Sequence, residues 1–222
     1  MKRALDIAAS VIGLLTLAPV MLLAAVLVKL SSPGPVFFCQ DRVGRNFRRF
    51  GIYKFRTMCQ DAPAKGRPIT VGCDPRITPV GRVLRMTKID ELPQLFNVLL
   101  GQMSLVGPRP EAPCYVDLFR EDYAEILRVR PGITDLASLK YRDEAALLGE
   151  AADPDRAYVE QILPDKIRLA RDYLARRSLA FDLRLIAATV LTLARDTLLG
   201  RPTPAGNGEA GRTDYGSRHK AA

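Results

Sequence analysis

Residues 87–110, TKIDELPQLFNVLLGQMSLVGPRP, set two adjacent carboxylates, Asp90 and Glu91, ahead of a proline and an apolar run, and close on an arginine held between Pro108 and Pro110. The spacing predicts a helix start. Asp90 is the expected N-cap, with Glu91, Leu92 and Pro93 in the first turn, where proline's missing N–H is not needed. Leu95, Phe96, Val98 and Leu99 then supply the buried face. An acid at such a position is ordinarily a cap and a complement to the helix dipole, contributing about 0.5 to 2 kcal/mol. Any chemical role for the pair depends on its neighbours.

Those neighbours are basic. Asp74-Pro75-Arg76-Ile77-Thr78 runs toward Gly81, after which Arg82, Arg85 and Lys88 lead into Asp90. Cations crowding an acid pair lower its pKa values, which predicts that both acids are ionised at neutral pH, and they offer a landing place for phosphates. Residues 61–79 carry Pro63, Gly66, Pro68, Gly72, Pro75 and Pro79 and read as a loop over or beside the site. Upstream, Val36-Phe37-Phe38 and residues 50–55 read as two short strands of a hairpin, with Arg42-Val43-Gly44-Arg45 turn-like between them. Lys54 and Arg56 alternate with Tyr53 and Phe55, so they share a strand face, either solvated or in contact with phosphate or a headgroup.

Residues 7–28 are uncharged and mostly apolar. As a straight helix rising about 1.5 Å per residue they reach about 33 Å, enough to cross a hydrocarbon core. Asp6 and the lack of a small-x-small cleavage site argue against a signal peptide. Pro19, near the middle, removes a backbone hydrogen bond and favours a kink. Lys2 and Arg3 precede the segment, while Lys29, Arg42, Arg45, Arg48 and Arg49 follow it. Positive charge on both flanks fits a kinked hairpin that enters and leaves by one leaflet. A single span is the other reading.

Past the acid pair, Val116, Phe119, Tyr123, Ile126 and Leu127 recur at helical spacing until Pro131-Gly132. Residues 155–177 read as helical with a break at Pro164, and Asp182 is expected to cap a last helix bearing Leu183, Ile186, Val190 and Leu193 on one side. That helix lies either on a bilayer surface or against the core. From Arg201 onward, glycine, polar and charged residues predict disorder.

With 222 residues, 48% of them hydrophobic, the chain can build one good-sized domain. Its formal charge of +9, from 33 basic and 24 acidic residues, points to an anionic partner: nucleic acid, a phospholipid surface or phosphorylated small molecules. Cys39, Cys59, Cys73 and Cys114 form no C-x-x-C pair, and the single histidine, His219, lies in the polar tail. Histidine-based triads and metal sites are therefore excluded. Chemistry must rest on carboxylates, Lys, Tyr, Cys or a bound cation. No P-loop or G-x-G-x-x-G is present, and no aromatic-basic pattern supports a nucleic-acid partner.

Taken in order, the basic N-terminus, the apolar segment with its central proline, SSPGPVFFCQDRVG, IYKFRTM, DPRITPVGRVLR, KIDELPQLFNVLLGQMSLVGPRP and RPGIT form a distinctive series. The series resembles the bacterial sugar transferases, small monotopic phosphoglycosyl transferases that act on polyprenyl phosphate, from about Lys2 to near Leu198. The resemblance implies a mainly α fold with a small β-hairpin. It divides the chain into a re-entrant membrane helix over residues 1–30, broken at Pro19, a cytosolic-face α/β catalytic domain with interfacial amphipathic helices over residues 31–200, and a tail over residues 201–222. It places the protein on the bacterial inner membrane.

The resemblance also implies the reaction. A nucleotide sugar, usually UDP-linked, would give its phosphosugar to undecaprenyl phosphate and release UMP, as a first membrane step in polysaccharide or glycoconjugate synthesis. Asp90 would be the nucleophile that forms an acyl-phosphate intermediate, Glu91 its partner, and Mg²⁺, held at Asp90, would offset the diphosphate charge. Arg109 would contact phosphate, with Arg85 and Arg56 as nucleotide or phosphate contacts. Two departures stand out: Ala18 precedes Pro19 where some members have serine, and Asp135-Leu136-Ala137-Ser138-Leu139-Lys140 follows RPGIT where many have a glycine and a glutamine-containing segment. The residues name neither the sugar nor the oligomeric state.

Overall fold

The computed structural model describes residues 1–59, 69–72 and 74–199, so the predicted tail and much of the loop at residues 61–79 lie outside the described residues. The chain is mostly helical. It opens with α1 (Lys2–Ser31), an uninterrupted helix with Pro19 in its interior. Among the described residues it alone is long and apolar enough to cross a membrane. One face carries the exposed Ile12, Leu15, Leu22, Leu23 and Leu30.

The other face is buried against the rest of the protein near both ends, at Asp6 and Ser10 and at Ala24 and Val28. At the start, Arg3 donates to the carbonyls of Val98 (2.6 Å) and Leu99 (3.1 Å), and Lys2 Nζ donates to the Val106 carbonyl (2.9 Å) and pairs with Asp182. Buried Asp6 accepts from Ser104 Oγ at 2.9 Å and from the Leu105 amide at 3.2 Å. At the far end, Ala24 and Val28 pack with Phe55 and Leu84. The polar residues that open α1 are thus spent on internal bonds.

The predicted hairpin is present and longer than expected: β1 (Phe37–Val43) pairs antiparallel with β2 (Arg49–Phe55), Phe37 opposite Phe55 and Val43 opposite Arg49. Its turn falls at residues 44–48, past the expected Arg42 and Val43, which are still paired. α2 (Pro79–Thr87) is capped by Thr78, whose Oγ1 accepts from the Gly81 amide at 2.9 Å. Then come α3 (Gln94–Leu99) and β3 (Ser104–Val106), which pairs in parallel with β4 (Gly132–Thr134). Gly107 and Gly132 meet where these segments cross: a Cβ on Gly132 would stand 2.1 Å from the Gly107 nitrogen.

The helix expected across Val116 to Leu127 is two, α4 (Pro113–Leu118) and α5 (Arg120–Ile126), because Phe119 leaves helical geometry at φ −116°. Short helices α6 (Leu136–Lys140), α7 (Glu144–Gly149) and α8 (Pro154–Ala157) follow. The predicted break at Pro164 takes the form of a π-helical turn at Tyr158–Ile162 leading into α9 (Leu163–Arg176), with Pro164 in its first turn. Val116, Tyr123, Ile126, Tyr158, Leu163 and Ile167 form the main core. In α10 (Leu179–Leu199) the cap is not Asp182: Ser178 Oγ accepts from the Phe181 amide at 3.2 Å. Asp182 lies one turn inside, buried between Lys2 and the Tyr173 hydroxyl (2.8 Å).

Candidate active site

Asp90 does not cap a helix. Lys88 adopts the left-handed conformation (φ 58°), which ends α2 and swings the chain into a single 3-10 turn, Ile89–Glu91, without a side-chain cap. α3 begins only at Gln94, after Pro93. The consequence is chemical: instead of bonding its own backbone, Asp90 is buried at the wall of a cleft of about 860 Å³, and its Oδ1 has no hydrogen-bond partner.

Glu91 is held differently. The Arg109 guanidinium straddles it, Nη2 to Oε1 at 2.7 Å and Nη1 to Oε2 at 3.4 Å, and Lys54 Nζ reaches Oε1 at 3.2 Å. Forked arginine contacts of this kind are strong and directional. Arg109 is fixed in turn by Asp135, whose Oδ2 accepts from the Arg109 amide at 3.1 Å while its Oδ1 accepts from the Ser138 amide at 2.7 Å and caps α6. The Gly-Pro-Arg-Pro turn and the segment after Arg-Pro-Gly-Ile-Thr are therefore one structure.

The two acids titrate in opposite directions, which corrects the expectation that cations hold both low. Burial pushes the Asp90 carboxyl up, and the Glu91 charge beside it pushes the same way. Burial would also raise Glu91, but Arg109 and Lys54 outweigh it and hold that carboxyl well below its ordinary value. Two neighbouring carboxyls in a common cleft are thereby set apart, one ionised and bridged, one unbridged and costly to charge.

All five residues singled out in the sequence line this cleft. Arg85 donates to Thr57 Oγ1 (2.8 Å) and Thr70 Oγ1 (3.1 Å), and burial lowers its pKa. Arg56 is partly committed elsewhere: its Nη2 donates to the carbonyls of Ser32 (2.7 Å) and Val28 (3.3 Å), pinning the end of α1, while Nε and Nη1 are buried without partners. The Asp74–Arg76 pair, Nη2 to Oδ2 at 2.6 Å, braces the turn leading to α2, with Arg76 lining the cleft.

Sequence reasoning missed three supports. In the sequence Lys54 reads only as part of a basic strand face. Asp135 carries a readable signal, an acid just before an apolar pair with serine three residues on, the pattern of an N-cap. Glu111, directly after the Gly-Pro-Arg-Pro turn, is buried in the cleft wall against Tyr158 Oη (3.0 Å) and Lys166 Nζ (3.4 Å). Nothing local marks it, since both partners are more than a helix away in sequence.

The chain matches the family described as Bacterial sugar transferase over residues 1–196. It belongs to that family. Among the named relatives of this sugar transferase, it is 43% identical over 199 residues to a UDP-N-acetylgalactosamine-undecaprenyl-phosphate N-acetylgalactosaminephosphotransferase of Aeromonas hydrophila, covering 86% of this chain and 43% of that protein. It is equally identical, 43% over 202 residues, to the exopolysaccharide production protein PSS of Rhizobium leguminosarum bv. phaseoli, covering 86% of this chain and 94% of the relative. A UDP-glucose:undecaprenyl-phosphate glucose-1-phosphate transferase of Caulobacter vibrioides is 40% identical over 196 residues, with 86% and 69% covered. The chain thus spans less than half of the Aeromonas protein and nearly all of the Rhizobium one.

Proposed function

We propose that this sugar transferase moves a phosphosugar from a nucleotide sugar, UDP-linked as in its relatives' names, to undecaprenyl phosphate through a covalent intermediate on Asp90. The observation that carries the reading is the contrast within the acid pair: Glu91 is saturated by Arg109 and Lys54, whereas Asp90, in the wall of the same cleft, has an Oδ1 with no hydrogen-bond partner. A carboxylate that no neighbour ties down is a competent nucleophile toward phosphorus. An Asp90 oxygen attacks the sugar-bearing phosphorus, the bond to the bridging oxygen breaks, and UMP leaves. The acceptor's phosphate oxygen then attacks the same phosphorus, the lipid diphosphate sugar forms, and the Asp90 carboxylate is restored.

Arg109 and Arg85 hold phosphate oxygens in line, the positioning on which phosphoryl transfer depends. The donor set fits Mg²⁺ through one carboxylate: Asp90 lies in the cleft wall with an unpartnered Oδ1, and Mg²⁺ commonly takes one or two carboxylates together with substrate phosphates. Asp90 would hold it, and when bound it supplies charge neutralisation for the diphosphate. Such a cation would also favour the ionised form of Asp90 against the burial that opposes it.

For membrane placement, both ends of α1 are bonded to the same body, Lys2, Arg3 and Asp6 at one end and Val28 with Ser32 at the other. That supports a re-entrant or in-plane helix, and the basic residues flanking both of its ends, Lys2, Arg3 and Lys29, favour the cytosolic face for the cleft. The covalent step is tested by mass spectrometry of enzyme given UDP-sugar and Mg²⁺ without acceptor. A phosphosugar adduct on the Asp90 peptide is expected, and its absence together with full UMP release by Asp90→Asn refutes the assignment.

A further inference from the structure

A second concavity lies apart from the cleft and shares no residue with it. It encloses about 440 Å³ between the β1–β2 turn and the segments after α3 and before β4, and Arg45, Arg48, Arg49 and Arg130 line it without any acidic residue. Arg45, Arg48 and Arg49 are exposed, and among the described residues none of the three takes part in an ion pair. Arg130 is fixed by its Nε bond to the Gly101 carbonyl, 2.8 Å. The turn that presents the arginines holds Asn46 and Phe47 in the left-handed region, φ 56° and 59°, a conformation that non-glycine residues adopt at a cost.

The rim is apolar on one side. Phe96 on α3 and Leu100 just past its end, one helical turn apart, are exposed, and Leu100 also lines the cup. This edge adjoins the start of α1, where Arg3 binds the carbonyls of Val98 and Leu99 and where Leu5 and Ile7 are exposed. A cluster of arginines beside outward-facing apolar side chains, at the start of a membrane-seeking helix, matches a phosphate headgroup joined to apolar chains, and the cup's lack of any residue in common with Asp90's cleft favours a membrane lipid over the acceptor substrate.

We infer that the arginine cup binds the headgroup of an anionic glycerophospholipid, with the acyl chains lying over Phe96 and Leu100. Charge complementarity selects an anionic lipid over a zwitterionic one. The separation from Asp90's cleft makes the cup a docking site distinct from substrate binding, and it stands whether or not the proposed transfer is correct.

The test titrates fluorescent phosphatidylglycerol against full-length enzyme in neutral-detergent micelles, with fluorescent phosphatidylcholine and inorganic phosphate as the other arms. Arg45→Gln/Arg48→Gln/Arg49→Gln is expected to weaken phosphatidylglycerol binding roughly 100-fold, as removal of three arginines at headgroup depth implies. Phosphatidylcholine affinity should not change. Equal affinity of variant and parent, or equal binding of both lipids by the parent, overturns the proposal. Displacement of phosphatidylglycerol by inorganic phosphate at comparable concentration also overturns it, reducing the cup to a free-anion site. A photoactivatable phosphatidylglycerol with the unaltered enzyme guards against misfolded variants: crosslinks should fall on peptides containing Phe96 and Leu100, and crosslinks elsewhere alone refute the site.

Discussion

At the residue scale, the acid pair shows how identical charges acquire different roles. Glu91's depressed pKa means that its ion pairs contribute stability above the unfolded carboxylate pKa, and that this stability is lost as pH falls through the lower folded value. Asp90 has the opposite sign. Its raised pKa favours the protonated form in the fold, so ionisation works against stability as pH rises through the folded value. Asp90→Asn should therefore melt no lower than the parent at pH 7.5, and up to about 2–4 °C higher for each kcal/mol of relieved cost, while turnover disappears. Glu91→Gln leaves buried Arg109 and Lys54 poorly matched and should cost about 3 kcal/mol. Melting curves of the two variants beside UMP release check both; a destabilised Asp90→Asn would assign Asp90 a structural role. In the absence of donor and Mg²⁺, chemical modification of Asp90 should show an acid limb above the ordinary carboxylate range, and a limb at or below it would contradict the burial argument. The pair itself was legible as two letters beside a proline. The split was not, because it depends on which acid meets an arginine 18 residues further on.

At the scale of elements, two short motifs turn out to be a single crossing. The Gly-Pro-Arg-Pro and Arg-Pro-Gly-Ile-Thr runs were both visible in the chain, yet nothing in either says that they touch. Their glycines allow it. The Ser104 amide donates to the Pro131 carbonyl (2.8 Å) and the Gly132 amide to the Pro108 carbonyl (3.0 Å), a backbone approach with no room for side chains. Gly132→Ala puts a methyl 2.1 Å from backbone nitrogen, which a flexible side chain could yield to and a strand cannot. A loss of about 3 kcal/mol, or roughly 6–12 °C in melting temperature, is expected, with activity falling further because Arg109 rides on the displaced turn. Gly13→Ala is the control, since its methyl would meet only the end of the Leu95 side chain at 3.3 Å. The same scale explains the failed cap. Composition favoured a helix starting at Asp90, and the left-handed Lys88 delayed that start to Gln94. A positive φ at lysine leaves no trace in spacing or hydropathy.

At the scale of the whole molecule, the membrane segment was the most legible feature and its path the least. Twenty-two uncharged, mostly apolar residues announce contact with lipid, but the residues that direct the path, Lys2, Arg3 and Asp6, bond to groups 95 to 180 positions away. From Asp6 to Val28 a helix advances about 33 Å at about 1.5 Å per residue, comparable to the hydrocarbon thickness, so a perpendicular span would leave those two residues on opposite faces. Asp6 is bonded to β3, while Val28 packs on Phe55 at the end of β2, which lines the cleft. Spanning would require tearing away one set: either the buried Asp6 and Lys2 bonds or the Ala24, Val28, Phe55 and Leu84 cluster. Uncompensated buried charges make the first costly, and lost apolar packing makes the second so. Single cysteines introduced as Ala4→Cys and Pro33→Cys, in a background with Cys39, Cys59, Cys73 and Cys114 replaced by serine, test the choice. A membrane-impermeant thiol reagent should label both sites in inside-out vesicles and neither in intact spheroplasts. Labelling of one site from each side would establish a span and would require the contacts at one end of α1 to be absent in the membrane.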